Sequence, residues 1–251
     1  MASGVIDFVI LILAAFVPAL VYLIWIRNTE RFGREPYGRL LRIFILGATL
    51  SVVTAVVLEL LLMAVLSMNM DRVYEILGED QTLESLILAV VIAPVVEEFT
   101  KGMSVFRYRR LISEIEDGII FGAAAGLGFA ATENLLYESS VFFSDGISAA
   151  IQIAVLRSLS SALLHAVTSS VFGLGVARGI KERKSLLPYY MGAVVMHGLF
   201  NYFASFGAMY EDDYGPKSYL IGLSASFIIA IVGIAIVRAK IRQLDSASRP
   251  A

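Results

Sequence analysis

Seven stretches of the chain are apolar enough and long enough to cross a bilayer as helices: about 5–26, 40–67, 83–106, 118–137, 149–177, 186–206 and 219–238. A spanning helix needs roughly 20 apolar residues, and within hydrocarbon every backbone N–H and C=O must be paired inside the segment. No segment shows the short alternating pattern of a barrel strand. Composition points the same way, at 58% hydrophobic and 17% charged with a mean hydropathy of +0.77. Soluble domains sit nearer ~45–50% apolar and ~25% charged. The expected fold is all-α: a polytopic membrane bundle of seven transmembrane helices, in one domain over 1–251. The first run lacks a basic segment ahead of it and ends in Trp25 and Arg27, so it reads as a retained span and not a cleaved signal.

The charges orient the bundle. Arg27, Arg31, Arg34, Arg39 and Arg42 fill the first loop, and Lys101, Arg107, Arg109 and Arg110 the third. Arg178, Lys181, Arg183 and Lys184 fill the fifth, and Arg238, Lys240, Arg242 and Arg249 the tail. The intervening loops hold only Arg72 and Lys217, against acids such as Asp71, Glu75, Glu79, Asp80, Glu138, Asp145, Glu211, Asp212 and Asp213. By the positive-inside rule the N-terminus is outside and the C-terminus cytoplasmic. The expected location is a cell membrane, with the lipid bilayer as partner and no nucleic acid. In the third loop Phe106, Tyr108, Leu111, Ile112 and Ile115 interleave with charge, a pattern suited to the membrane surface. The absence of cysteine excludes disulfides, thiolate catalysis and cysteine-based metal sites.

Against this apolar background the polar residues inside spans stand out. Glu97 and Glu98 are adjacent in the third span, and an ionised carboxylate at membrane depth costs roughly 2.5 kcal/mol or more. Span two carries Glu59, span four Glu133 and Asn134, span five Arg157 and His165, and span six His197 and Asn201. Both histidines of the chain are thus at mid-span. Lys101 is four residues beyond Glu97 and in register to pair with it, leaving Glu98 about 100° round the helix. His197 and Asn201 share one face, as do Ser161, His165 and Ser169. Gly118, Gly122, Gly126, Ala130 and Asn134 form a small-residue stripe, which reads as a packing seam. Glu59 reads as a buried hydrogen-bonded group, and Arg157 as snorkelling outward or neutralising a glutamate. The concentration of the set in spans three to six suggests one polar cavity.

With no cysteine and no serine nucleophile motif, the carboxylates are the candidates for activating water. A glutamate in an apolar pocket suits a general base, and a second beside it separates their titrations. A histidine and an asparagine can donate to a developing oxyanion. The expected activity is that of a water-activating peptidase inside the membrane, with Glu97, Glu98, His165, His197 and Asn201 as catalytic candidates. No cofactor is firmly expected. A divalent metal such as zinc, held by candidates Glu98, His165 and His197, is the open alternative, although the HExxH signature is absent. A proton- or ion-coupled transporter is the alternative from another class, but no pair of matching halves is visible. A retinal-binding reading is weakened by the lack of lysine in Tyr219 to Val237.

At these residues the chain resembles the PrsW family of intramembrane peptidases, relatives of the CAAX-processing and bacteriocin-processing (Abi) enzymes. VVEEFTKG matches the EExxK signature, FAATENLLY the FxxxEN signature, and His165 and HGLFN the two later histidine motifs, over roughly 83–203. The resemblance implies Glu97 and Glu98 as the first-motif carboxylates, Lys101 as their basic partner, and Glu133 with Asn134 from the second motif. His165 follows from the third motif and His197 with Asn201 from the fourth. CAAX-type relatives have histidine where this chain has Glu133. The implied substrate is a single-span membrane protein of the anti-sigma-factor kind, cut at the first of two sites. The resemblance leaves glutamate and metal mechanisms both open. Counting about 1.5 Å per residue from the expected span ends puts Glu133 and Glu97 about 10 Å or more apart in depth. Glu97, Glu98, His165 and His197 therefore rank above Glu133, which falls to an entrance or to a bond with Arg157.

Overall fold

A computed structural model describes residues 2–78 and 82–247, all of whose regular elements are helical. The loop acids Glu79 and Asp80 and the tail residue Arg249 lie outside the described residues. The long helices are α1 (Ala2–Arg27), α2 (Tyr37–Ser67), α3 (83–107) and α4 (Ile115–Asp145). They are followed by α5 (Ile147–Leu159), α6 (Ser161–Glu182), α7 (Leu187–Met209) and α8 (Lys217–Ala247). Among the described residues, five stretches are long and apolar enough to cross a membrane: α1 from Val5, α2, α4, α5 with α6, and α8. Helices α3 and α7 are diluted by the polar residues they turn inward, Glu97, Glu98 and Lys101 on one and His197 and Asn201 on the other.

Helix α4 is the hub, with α1, α2, α3, α5, α6 and α8 packed against it. Every residue of 116–131 is buried, which explains why the stretch 118–131 is apolar on every side. The small-residue stripe is a packing seam, as expected. A Cβ at Gly122 would lie 2.0 Å from the Ser169 carbonyl oxygen, and one at Gly126 would lie 2.1 Å from that of His165. Only glycine lets the two backbones touch here, and this contact sets His165 beside α4. At its start α4 is capped reciprocally: Asp117 Oδ2 accepts the Ser113 and Glu114 N–H groups at 2.6 and 2.9 Å, while the Glu114 side chain accepts an N–H of the first turn.

Two departures from the expected helices shape the site. The run read as one span over 149–177 breaks at Ser160 (φ −120°, ψ −73°), so α5 is a separate helix packed on α1 and α4. The hydroxyl of Ser160 bonds back to the Leu156 carbonyl at 2.7 Å, a local competitor that the apolar pattern of the run conceals. Second, α2 and α3 each contain a π-helical turn, Gly47–Ser51 and Leu88–Ile92. Such wide turns free backbone carbonyls that need a donor from elsewhere. Thr132 Oγ1 donates to the Ala48 carbonyl at 2.7 Å, and Asn201 Nδ2 to that of Ala89 at 2.8 Å.

Candidate functional site

Four helices bring one side chain set together beneath a cavity of about 490 Å³. α3 supplies Glu97, Glu98 and Lys101, α4 Glu133, α6 His165 and Thr168, and α7 His197. Lys101 is fully buried at the centre, with Nζ 2.7 Å from Glu98 Oε1, 3.3 Å from Glu97 Oε2 and 2.8 Å from His165 Nδ1. The expected pairing of Lys101 with Glu97 alone is corrected. A lysine reaches both its i−3 and i−4 neighbours, and here the i−3 contact is the shorter.

The two glutamates differ in surroundings. Glu98 is 0% exposed, and its Oε1 accepts from Lys101, from Thr168 Oγ1 at 2.9 Å and from His197 Nδ1 at 2.8 Å. Its Oε2 has no hydrogen-bond partner. Glu97 lines the cavity, and its Oε2 lies 3.8 Å from His165 Nδ1 and 3.9 Å from His197 Nε2, beyond hydrogen-bonding range of both. The carboxylate that meets the cavity is the one with the looser contacts.

The partners fix the histidine tautomers. An ammonium only donates, so His165 Nδ1 accepts from Lys101 and its Nε2–H donates to Glu133 Oε2 at 2.8 Å. The Nδ1–H of His197 donates to Glu98, which leaves its Nε2 lone pair directed toward Glu97. The rings meet edge to face with centroids 5.0 Å apart.

Glu133 is at the level of the other residues and not displaced from them, because His165 bridges it to Lys101. The depth count took Gly118 as the membrane entry, whereas α4 has 31 residues and is longer than a core of about 30 Å requires. Arg157 Nη2 also reaches Glu133, at 3.0 Å, and its Nε donates to Asn134 Oδ1 at 2.8 Å while its guanidinium sits over the Tyr137 ring. The sequence alternatives for Arg157 thus resolve to neutralisation. Asn201 lines the cavity with one N–H committed to Ala89.

One contributor, Thr168, was not singled out from the sequence, and another, Glu59, was read there only as a buried hydrogen-bonded group. Thr168 carries no motif, yet it is one turn from His165 on the same helix face and bonds Glu98. Glu59, set aside as structural, lines the same cavity as Glu97 and Glu133, and its Oε1 has no partner.

Ligand atoms of Glu97, His165 and His197 all lie within 4.8 Å of one another. One carboxylate with two histidines is a common donor set of catalytic zinc. The second ring nitrogen of each histidine is anchored by a carboxylate, Glu133 or Glu98, as such ligands require. The residues therefore fit a divalent ion, with Glu97 and not Glu98 in the set. Lys101 uses the Nδ1 lone pair of His165, so an ion bound through that atom displaces this hydrogen bond.

The sequence model of the PrsW family intramembrane metalloproteases matches residues 35–238. The chain is 29% identical over 201 residues to Protease PrsW of Clostridioides difficile, spanning 76% of this chain and 78% of that protein. It is 25% identical over 243 residues to Protease PrsW of Geobacillus kaustophilus, spanning 96% and 94%, and 26% identical over 194 residues to that of Halalkalibacterium halodurans, spanning 76% and 81%. No solved structure matches.

Proposed function

The chain belongs to the PrsW family of intramembrane metalloproteases, integral multi-pass membrane proteins that hydrolyse peptide bonds, and we propose that Glu97 is the carboxylate that activates water in it. The observation that carries this reading is the division between the two glutamates. Glu98 is held by three donors behind the site, while Glu97 faces the cavity with no hydrogen bond shorter than 3.3 Å. Glu97 takes the proton of the attacking water and returns it to the leaving amine. Lys101 and Arg157 offset the carboxylates that gather there, and the uncommitted N–H of Asn201 is available to the substrate carbonyl oxygen.

The substrate is a membrane-anchored protein of the single-span, anti-sigma-factor kind, cut near its membrane boundary. The cavity supports this, since its other walls are apolar residues such as Val52, Leu88 and Leu136. The chain crosses the membrane seven times, N-terminus outside, with α3 and α7 as the two polar spans. In support, the basic segments gather at one end of the bundle: the Arg238 guanidinium sits over the Trp25 ring at 3.7 Å, and Asp245 accepts the Arg31 and Phe32 N–H groups.

A second reading is favoured by the Glu97, His165 and His197 group. Zinc held by Glu97, His165 and His197 would supply Lewis acidity and a more acidic water. Purified chain in proteoliposomes should release a fragment from a single-span protein, with the cut mapped by mass spectrometry. Loss of cleavage on stripping metal, and recovery on adding Zn²⁺, selects the metal form; unchanged cleavage in metal-free protein selects the carboxylate alone. No cleavage of any single-span protein contradicts the substrate assignment.

A further inference from the structure

On the other flank of the seam between α2 and α3, away from the catalytic cavity, a groove of about 610 Å³ runs to the end of α3. Its walls include Leu50, Phe99 and Met103, which are 56%, 48% and 53% exposed, so it opens sideways into lipid. Its floor is satisfied internally: Ser51 Oγ donates to the Thr100 carbonyl at 3.0 Å and lies 2.9 Å from Ser104 Oγ. Three arginines, Arg107, Arg109 and Arg110, stand at its mouth.

Only one of the three is engaged. Arg109 donates to the Phe106 carbonyl at 3.1 Å and stacks over the Phe106 ring. Arg107 and Arg110 have neither an acidic nor a hydrogen-bond partner among the described residues. A second groove, of about 430 Å³, lies across the same Phe99–Met103–Phe106 ridge, lined by Gly102, Phe172, Leu186 and Tyr190 and carrying no charge. Arginines placed only to orient the chain have no reason to favour one groove over the other.

We propose that the groove between α2 and α3 binds an anionic phospholipid, its acyl chain along Leu50 and Met103 and its phosphate between Arg107 and Arg110. Guanidinium groups match phosphate geometry, and a basic residue near an anionic membrane surface adds about fivefold in binding. A substrate's flanking segment fits less well, because the cytoplasmic flanks of single-span proteins are themselves basic.

The test uses full-length chain in nanodiscs of equal phosphatidylglycerol and phosphatidylcholine, gently re-extracted, with retained lipids counted by native mass spectrometry. Wild type is expected to keep phosphatidylglycerol in clear preference. Arg107→Gln with Arg110→Gln should cut that preference about tenfold or more, while Lys181→Gln with Arg183→Gln, exposed at the end of α6, leaves it intact. Met103→Trp, which fills the groove and spares the arginines, should also release the lipid. Equal retention of the two lipids by wild type overturns the proposal. So does unchanged retention in the arginine pair or in Met103→Trp, equal loss in the control pair, or displacement by millimolar inorganic phosphate or by a basic single-span peptide.

Discussion

His197 Nδ1 lies 2.8 Å from Glu98 Oε1, joining α7 to α3 through an oxygen that Lys101 and Thr168 also use. This contact separates the adjacent glutamates into two jobs. Glu98 orients His197 and holds Lys101, and Glu97 is left at the cavity wall. A buried carboxylate bonded to one ring nitrogen fixes where the other nitrogen points.

Removing the Glu98 charge leaves Lys101 buried with Glu97 as its remaining partner on α3. Breaking a buried ion pair costs about 3–5 kcal/mol. Glu98→Gln should therefore lower the unfolding midpoint and the cleavage rate together. Wild-type stability in Glu98→Gln contradicts the orienting role.

Thr168 is tested without touching charge. Thr168→Val keeps the shape and deletes one donor to the Glu98 carboxylate, worth about 1.5–3 kcal/mol. A loss of stability of that size is expected with a several-fold drop in cleavage, and Thr168→Ser should restore both. If Thr168→Val cleaves as wild type does, the hydroxyl does not tune the site.

The α4–α6 seam positions His165 and Glu133. Gly122→Ala puts a Cβ 2.0 Å from the Ser169 carbonyl oxygen and must push the helices apart, at about 1–3 kcal/mol. Gly192→Ala meets only Val171 Cγ1, at 4.0 Å, and should be neutral. Thermal unfolding of the two variants in one detergent checks this, and equal behaviour contradicts the close approach.

The all-helical membrane architecture and five of the seven expected spans were legible because roughly 20 apolar residues leave a chain few alternatives to a helix in lipid. So was membership of the site for Glu97, Glu98, His165 and His197, because polar groups at membrane depth are rare enough to notice. What one-dimensional register could not show was which helix faces meet. The Lys101–Glu98 pairing depends on a rotamer, and the bridge from Glu133 through His165 depends on the register of α4 against α6. The break at Ser160 was hidden because α5 and α6 are apolar on both sides of it. Thr168 and Glu59 matter only through residues on other helices.

Outside the spans, Glu30 carries a pH dependence. It is 1% exposed, with one oxygen unpartnered, and burial with the nearby Asp117 charge pushes its carboxyl up to about 8 from an ordinary 4.5. Below 4.5 folded and unfolded chains are both protonated there; between 4.5 and about 8 only the unfolded chain ionises. Folding is therefore penalised progressively as pH rises through that window, the penalty being complete above it. Glu30→Gln should raise the unfolding midpoint at pH 8.5 and leave it nearly unchanged at pH 4.5. An equal shift at both values contradicts this.

The most direct measurement is the cleavage rate of Glu97→Gln in proteoliposomes against a single-span substrate, with unfolding followed on the same sample. Glutamine preserves shape and hydrogen bonding to Lys101 but cannot take a proton. Loss of about 10²-fold or more in rate, with the unfolding midpoint retained, is the expected result. Near-wild-type cleavage by folded Glu97→Gln would contradict Glu97 as the water-activating carboxylate.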